Sequence, residues 1–74
     1  MKEYLYYGYN SGSFKAFRED GSVVFDRNTN KPLAFIEDGC WYDYNTHEYI
    51  AFEEKEIVFN AKTMKPILFF EERE

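Results

Sequence analysis

One cysteine, one histidine and two prolines are all that this 74-residue chain has of the residue types that most often cross-link a small domain, hold its metal or interrupt its strands. A lone Cys40 excludes an internal disulfide. With only His47 beside it, no Cys-x-x-Cys, His-x-x-x-His or calcium-loop spacing exists, and no metal site is expected. Nine Lys and Arg stand against fourteen Asp and Glu, a net charge of −5. That balance argues against nucleic acid as a partner, because binding a phosphate backbone takes a concentrated basic face. Long apolar runs are also missing. The longest runs from Pro66 to Phe70, far short of the ~20 residues of a membrane helix, and the start of the chain lacks the apolar core of a signal peptide. The expectation is a cytoplasmic protein with no membrane partner and no cofactor.

Aromatic residues are abundant, at 22% of the chain. Each such ring can bury about 150–250 Å2, which compensates for the small core that so short a chain can build. The rings recur with a period. Tyr42-Asp43-x-x-Thr46-x-x-Tyr49-Ile50-Ala51-Phe52 aligns with Phe25-Asp26-x-x-Thr29-x-x-Pro32-Leu33-Ala34-Phe35 and with Phe59-Asn60-x-x-Thr63-x-x-Pro66-Ile67-Leu68-Phe69. A weaker first copy reads Tyr7-Gly8-x-x-Ser11-x-x-Phe14-Lys15-Ala16-Phe17. A repeat at a fixed period is read before any other fold signal. We take the chain as one domain of four repeats, over residues 4–21, 22–39, 40–55 and 56–72.

Each repeat holds two short apolar stretches, β-branched or aromatic and too short for helices. They predict eight strands in four hairpins. Within a hairpin, Asp26, Asp43 and Asn60 suit the start of a turn, because a short polar side chain can accept a hydrogen bond from the backbone two residues on. Pro32 and Pro66 suit the first position of a strand. Between hairpins, Asp20-Gly21 and Asp38-Gly39 carry the chemistry of two-residue type I′ turns. The third junction, Glu54-Lys55-Glu56, lacks the glycine and should be looser or strained. Period-2 alternation then divides the strands into two faces. The larger set, with Leu5, Val23, Cys40 and Ile57, Leu33, Ile50 and Ile67, and Tyr7, Phe17, Phe25, Phe35, Tyr42, Phe52, Phe59 and Phe69, is the expected core, interrupted by Lys15. The second face carries Tyr6, Val24, Trp41 and Val58 with Ala16, Ala34, Ala51 and Leu68.

An open eight-strand meander would leave two sheet edges exposed, and closure or radial arrangement removes or protects them. The expected fold is all-β, with four hairpins in a pseudo-fourfold antiparallel meander. The repeat resembles that of the four-fold beta flower family of small bacterial domains, over Leu5 to Glu72. The resemblance implies a petal-like arrangement of hairpins and carries no activity, cofactor or site.

Cys40 and His47 are the one strong nucleophile and the one imidazole, but they fall at opposite ends of a predicted strand, roughly 10 Å or more apart. Cys40 also takes the repeat position of Leu5, Val23 and Ile57, so a buried thiol is expected and no catalytic residue is assigned. Carboxylates gather at the tight-turn end and Arg27, Lys31, Lys62 and Lys65 at the wide-turn end. The remaining lead is aromatic. Tyr4, Tyr6, Tyr9, Trp41, Tyr44 and Tyr49 exceed the expected core, and Tyr and Trp are enriched in interface hot spots. Of these, Tyr6, Trp41, Tyr44 and Tyr49 are the candidate binding residues of a non-enzymatic interaction module, with another protein or a second copy of the chain as its partner. The alternative is a small-ligand or carbohydrate binder with Trp41 and Tyr44 at its site.

Overall fold

Every short run of β-branched and aromatic residues becomes a strand. The computed structural model describes residues 2–74, with β1 (Glu3–Gly8), β2 (Phe14–Arg18), β3 (Val23–Asp26), β4 (Pro32–Glu37), β5 (Cys40–Asp43), β6 (Tyr49–Glu54), β7 (Ile57–Asn60) and β8 (Pro66–Arg73). Each strand pairs antiparallel with the next, and β8 returns to β1. The closing ladder runs from Glu3 opposite Arg73 to Gly8 opposite Leu68. The result is a closed eight-strand barrel in meander order, in which each of these strands is paired on both sides.

Closure at this size needs sharply curved strands. All four hairpins supply it in the same way, with a register shift between Tyr6 and Tyr7, Val24 and Phe25, Trp41 and Tyr42, and Val58 and Phe59. A bulge inserts one residue, bends its strand and increases its twist. Four bulges at one repeat position bend the sheet evenly around the axis.

The wide turns explain the Asp-x-x-Thr signature. The side-chain oxygens of Asp26, Asp43 and Asn60 accept from the backbone N–H two residues on, at Asn28 (3.1 Å), Asn45 (2.9 Å) and Lys62 (2.8 Å). Thr29, Thr46 and Thr63 repeat the device one step later, accepting from Lys31, Glu48 and Lys65. The residue after each threonine, Asn30, His47 or Met64, is left-handed, with φ of 61°, 67° and 63°. In the first copy this place falls to Gly12 (φ 71°), and Ser11 accepts from Ser13. Gly8 stands where the other copies have Asp or Asn, and Ser11 Oγ lies 2.5 Å from where a Cβ on Gly8 would be.

The tight turns are not alike. Asp38 (φ 52°) and Gly39 (φ 78°) form the expected turn with two positive φ angles. Lys55 (51°) and Glu56 (68°) adopt the same shape without a glycine, so the strain expected there is present while the turn stays tight. The Asp20-Gly21 expectation is corrected. Only Gly21 has positive φ (143°), and residues 19–22 form a longer link between β2 and β3. Arg18 holds this link by donating from Nη1 to the Gly21 carbonyl at 2.9 Å.

The expected core face is also corrected: the structure inverts it. The buried residues are Tyr6, Val24, Trp41 and Val58 with Ala16, Ala34 and Ala51, and Leu68 and Ile36 pack against them. The larger apolar set lies on the outer wall, half-buried or exposed, with Lys15 exposed among it. Cys40, expected to be buried, is half-buried on that wall, opposite Phe52. The cause is geometric. An eight-strand barrel is only just wide enough for side chains to fill it. Three alanines at one repeat position leave room for Tyr6 and Trp41, whose rings meet edge to face at 5.1 Å.

Candidate interaction surface

At the tight-turn end, the interior finishes in a layer of Arg18, Ile36, Glu53 and Phe70, four residues at one repeat position. Glu53 turns inward, and its Oε2 accepts from Trp41 Nε1 at 2.8 Å and from the Tyr6 hydroxyl at 3.1 Å. Arg18 Nε donates to the Tyr6 oxygen at 3.2 Å, and its guanidinium lies 3.9 Å from the centre of the Tyr4 ring. Burial pushes the Tyr6 phenol well above its ordinary pKa. Among the described residues no buried side-chain polar atom lacks a partner. The network is therefore fully used in filling and satisfying the interior.

This placement decides two of the four candidate binding residues. Tyr6 is 0% and Trp41 5% exposed. Both point into the barrel, and their polar tips are engaged with Glu53. Neither can offer a ring to a partner, because the face expected to be outside is the inside. Tyr44 and Tyr49 lie on the outer wall at the wide-turn end, 42% and 48% exposed. The Tyr49 ring touches Tyr42 at 5.9 Å between centroids.

The outer wall has its own order. Four ring stacks sit at the four seams between hairpins: Phe17 on Phe25 (5.6 Å), Phe35 on Tyr42 (5.3 Å), Phe52 on Phe59 (5.2 Å) and Tyr7 on Phe69 (5.3 Å). Each lies within about 21° of parallel. The stacks join each hairpin to the next, and the last one closes the barrel.

Next to each stack, toward the wide-turn end, a backbone hydrogen bond joins neighbouring hairpins. Tyr44 N–H donates to Leu33 (3.0 Å), Ala61 to Ile50 (3.0 Å), Tyr9 to Ile67 (2.9 Å) and Arg27 to Lys15 (3.1 Å). Three of these four equivalent junctions therefore present apolar side chains to solvent, and the fourth presents two cations. Leu33, Ile50 and Ile67 are 45%, 37% and 40% exposed. A half-open groove of about 260 Å3 lies at the junction opposite the dibasic one, lined by Glu48, Tyr49 and Ile50 from the β6 side and by Asn60 and Lys62 from the β7 side.

Charge divides along the barrel axis. The wide-turn loops and adjoining strand ends hold five of the nine cations and three of the fourteen carboxylates, and the tight-turn end holds the rest. The carboxylate of Asp43 is held below its ordinary pKa by the backbone N–H groups of Thr46 and then Asn45, which fixes it as part of the turn. Cys40 opens β5 beside a tight turn, whereas His47 sits in the wide turn at the other end. The histidine ring rests edge-on to Phe35 at 5.5 Å. The two side chains form no pair. Comparison with family models, with curated proteins and with solved structures returns no match.

Proposed function

We propose that this chain is a small interaction module that docks a protein through the outer wall of its barrel at the wide-turn end. The observation that carries this reading is the set of exposed apolar side chains at equivalent junctions: Leu33 with Tyr44, Ile50 beside Tyr49, and Ile67 with Tyr9. Large exposed apolar patches mark contact sites, and here exposed apolar side chains recur at three neighbouring junctions. Tyr44 and Tyr49 keep the role first expected of them, with Leu33, Ile50 and Ile67 added and Tyr6 and Trp41 removed. The strands, four to eight residues long, fall short of the ~9–11 residues needed to cross a bilayer, which favours a protein over the lipid interior as what covers the band. The carbohydrate alternative drew on Trp41 as a stacking platform, and that ring is enclosed. For the fold, we propose that the chain belongs with the four-fold beta flower domains; its four hairpins of one repeat, closed into a barrel, support that reading.

The test is a capture experiment with the intact chain and with a Tyr44→Ser, Tyr49→Ser double variant, each checked for native circular dichroism. Both rings are exposed, so the variant should fold. A protein retained by the intact chain and lost by the variant supports this reading. Equal recovery by the two would overturn it.

A further inference from the structure

We infer that one occupant of this surface is a second copy of the chain, bound across the β6–β7 groove with two-fold symmetry; this rests on the outer wall being a docking surface. Glu48 and Lys62 stand on the two sides of the groove, with Tyr49 and Ile50 forming its apolar part. No ion pair joins these two charges within the chain; among the described residues the side-chain ion pairs are Lys2 with Glu72 and Arg73 with Glu71, at the other end of the barrel. Glu48 has only a long contact of 3.4 Å from the Thr46 hydroxyl.

A patch with an apolar centre and one charge of each sign at its margins is self-complementary under a two-fold axis. Glu48 then faces Lys62 of the second copy, and Lys62 faces its Glu48. The surroundings agree with this centre. The flanking junctions, Leu33 with Tyr44 and Ile67 with Tyr9, are apolar, so a contact centred on the groove can spread both ways. The two cations Lys15 and Arg27 occupy the opposite side of the barrel, where they do not meet across the interface. A specific interface takes about 800 Å2 per partner, about 15% of the 5175 Å2 surface of this chain. Of the four junctions, only the one at Ile50 has an alanine, Ala61, as its second member, which opens space for a Tyr49 ring from the second copy.

Sedimentation equilibrium across micromolar to millimolar concentration at low salt tests this directly. The intact chain should show a concentration-dependent doubling of mass, weakened by added salt. Glu48→Lys places two cations against each other at both ends of the interface, and Lys62→Glu does the same with two anions. Each variant alone should raise the dissociation constant by about tenfold or more, since like charges across an interface are costly. Mixing the two variants restores opposite charges at both contacts, and the mixture should dimerise where neither component does. An intact chain that stays monomeric throughout would overturn the inference, while leaving the capture experiment with Tyr44 and Tyr49 to decide the broader reading. A dimer that ignores both charge reversals and also Ile50→Ser would place the interface elsewhere and equally overturn it.

Discussion

The inversion of the two faces makes a prediction in which neighbouring residues should behave in opposite ways. Ala34 is 1% exposed and stands opposite Val24 on one side and Asp43 on the other. Its equivalents Ala16 and Ala51 complete the same narrow layer. Ala34→Leu drives a branched side chain into space already filled by Tyr6 and Trp41, and overpacking of this kind costs about 1–3 kcal/mol. In a domain of this size that lowers the melting point by roughly 5–20 °C. Leu33, one position earlier, is 45% exposed on the outer wall. Leu33→Ala removes only part of the ~1.5–3 kcal/mol that full burial of a leucine is worth, so a loss of about 0.5–1 kcal/mol is expected. Urea unfolding measures both, and the midpoints should separate while the slope stays constant, as it does when only stability changes. If Leu33→Ala proves the more damaging substitution, the alanine layer is not the interior and the account of the barrel fails.

Glu56→Gly should stabilise the fold by about 1 kcal/mol, because Glu56 holds a left-handed φ of 68° that glycine adopts without penalty. An unchanged or lower thermal midpoint would show that the Lys55-Glu56 turn stores no strain. Phe52→Ala should cost about 1–2 kcal/mol, below the 3–5 of a fully buried ring, since Phe52 is half-buried and its main partner is the stacked Phe59. A loss of the larger size in chemical denaturation would argue that the seam is core. In an alkaline titration Tyr6 should resist ionisation until the protein unfolds, beyond Tyr7 and Tyr42, which are also raised but lie on the outer wall. Tyr6 is held above its ordinary value of 10.0 by burial, so its contribution is complete below that pH and is lost as pH rises beyond it. Phenolate absorbance that shows all seven ionising together within the native state would refute the enclosed position of Tyr6.

Much of the fold was legible because each turn residue has a local job. Asp26, Asp43 and Asn60 cap their own turns, Pro32 and Pro66 open strands, and the even spacing of four such units implies closure. Local chemistry of this kind can be read without knowing what lies across the sheet. The choice of inner face could not be read in that way. Both faces are apolar, and total hydrophobicity favours the wrong one. The informative signal was size: Ala16, Ala34 and Ala51 recur at one position, and small side chains there mark the crowded inside of a narrow barrel. Tyr6 and Trp41 were expected to be binding residues because aromatic excess was counted against the wrong core. Their link to Glu53 joins residues from β1, β5 and β6, so no sequence spacing reveals it. Leu33, Ile50 and Ile67 were missed as surface residues for the same reason.

The four repeats differ in an ordered way, and this argues for separate roles inside and out. Each seam stack is a pair of rings in every copy, and each wide turn keeps its left-handed residue, so these two elements stay constant while the tight turns differ. The variation that bears on these roles falls at two places. Inside, Arg18, Ile36, Glu53 and Phe70 fill equivalent positions with a cation, an aliphatic, an anion and a ring. Four identical charges could not share that space, whereas this set satisfies Tyr6 and Trp41 and gives each hairpin a distinct neighbour. Outside, the Lys15 and Arg27 junction breaks an otherwise apolar ring and leaves the opposite groove as its centre. A symmetric outer wall would accept a partner in four equivalent orientations. One charged junction in four reduces these to one, and it does so at exposed positions where the substitution has little effect on the barrel itself.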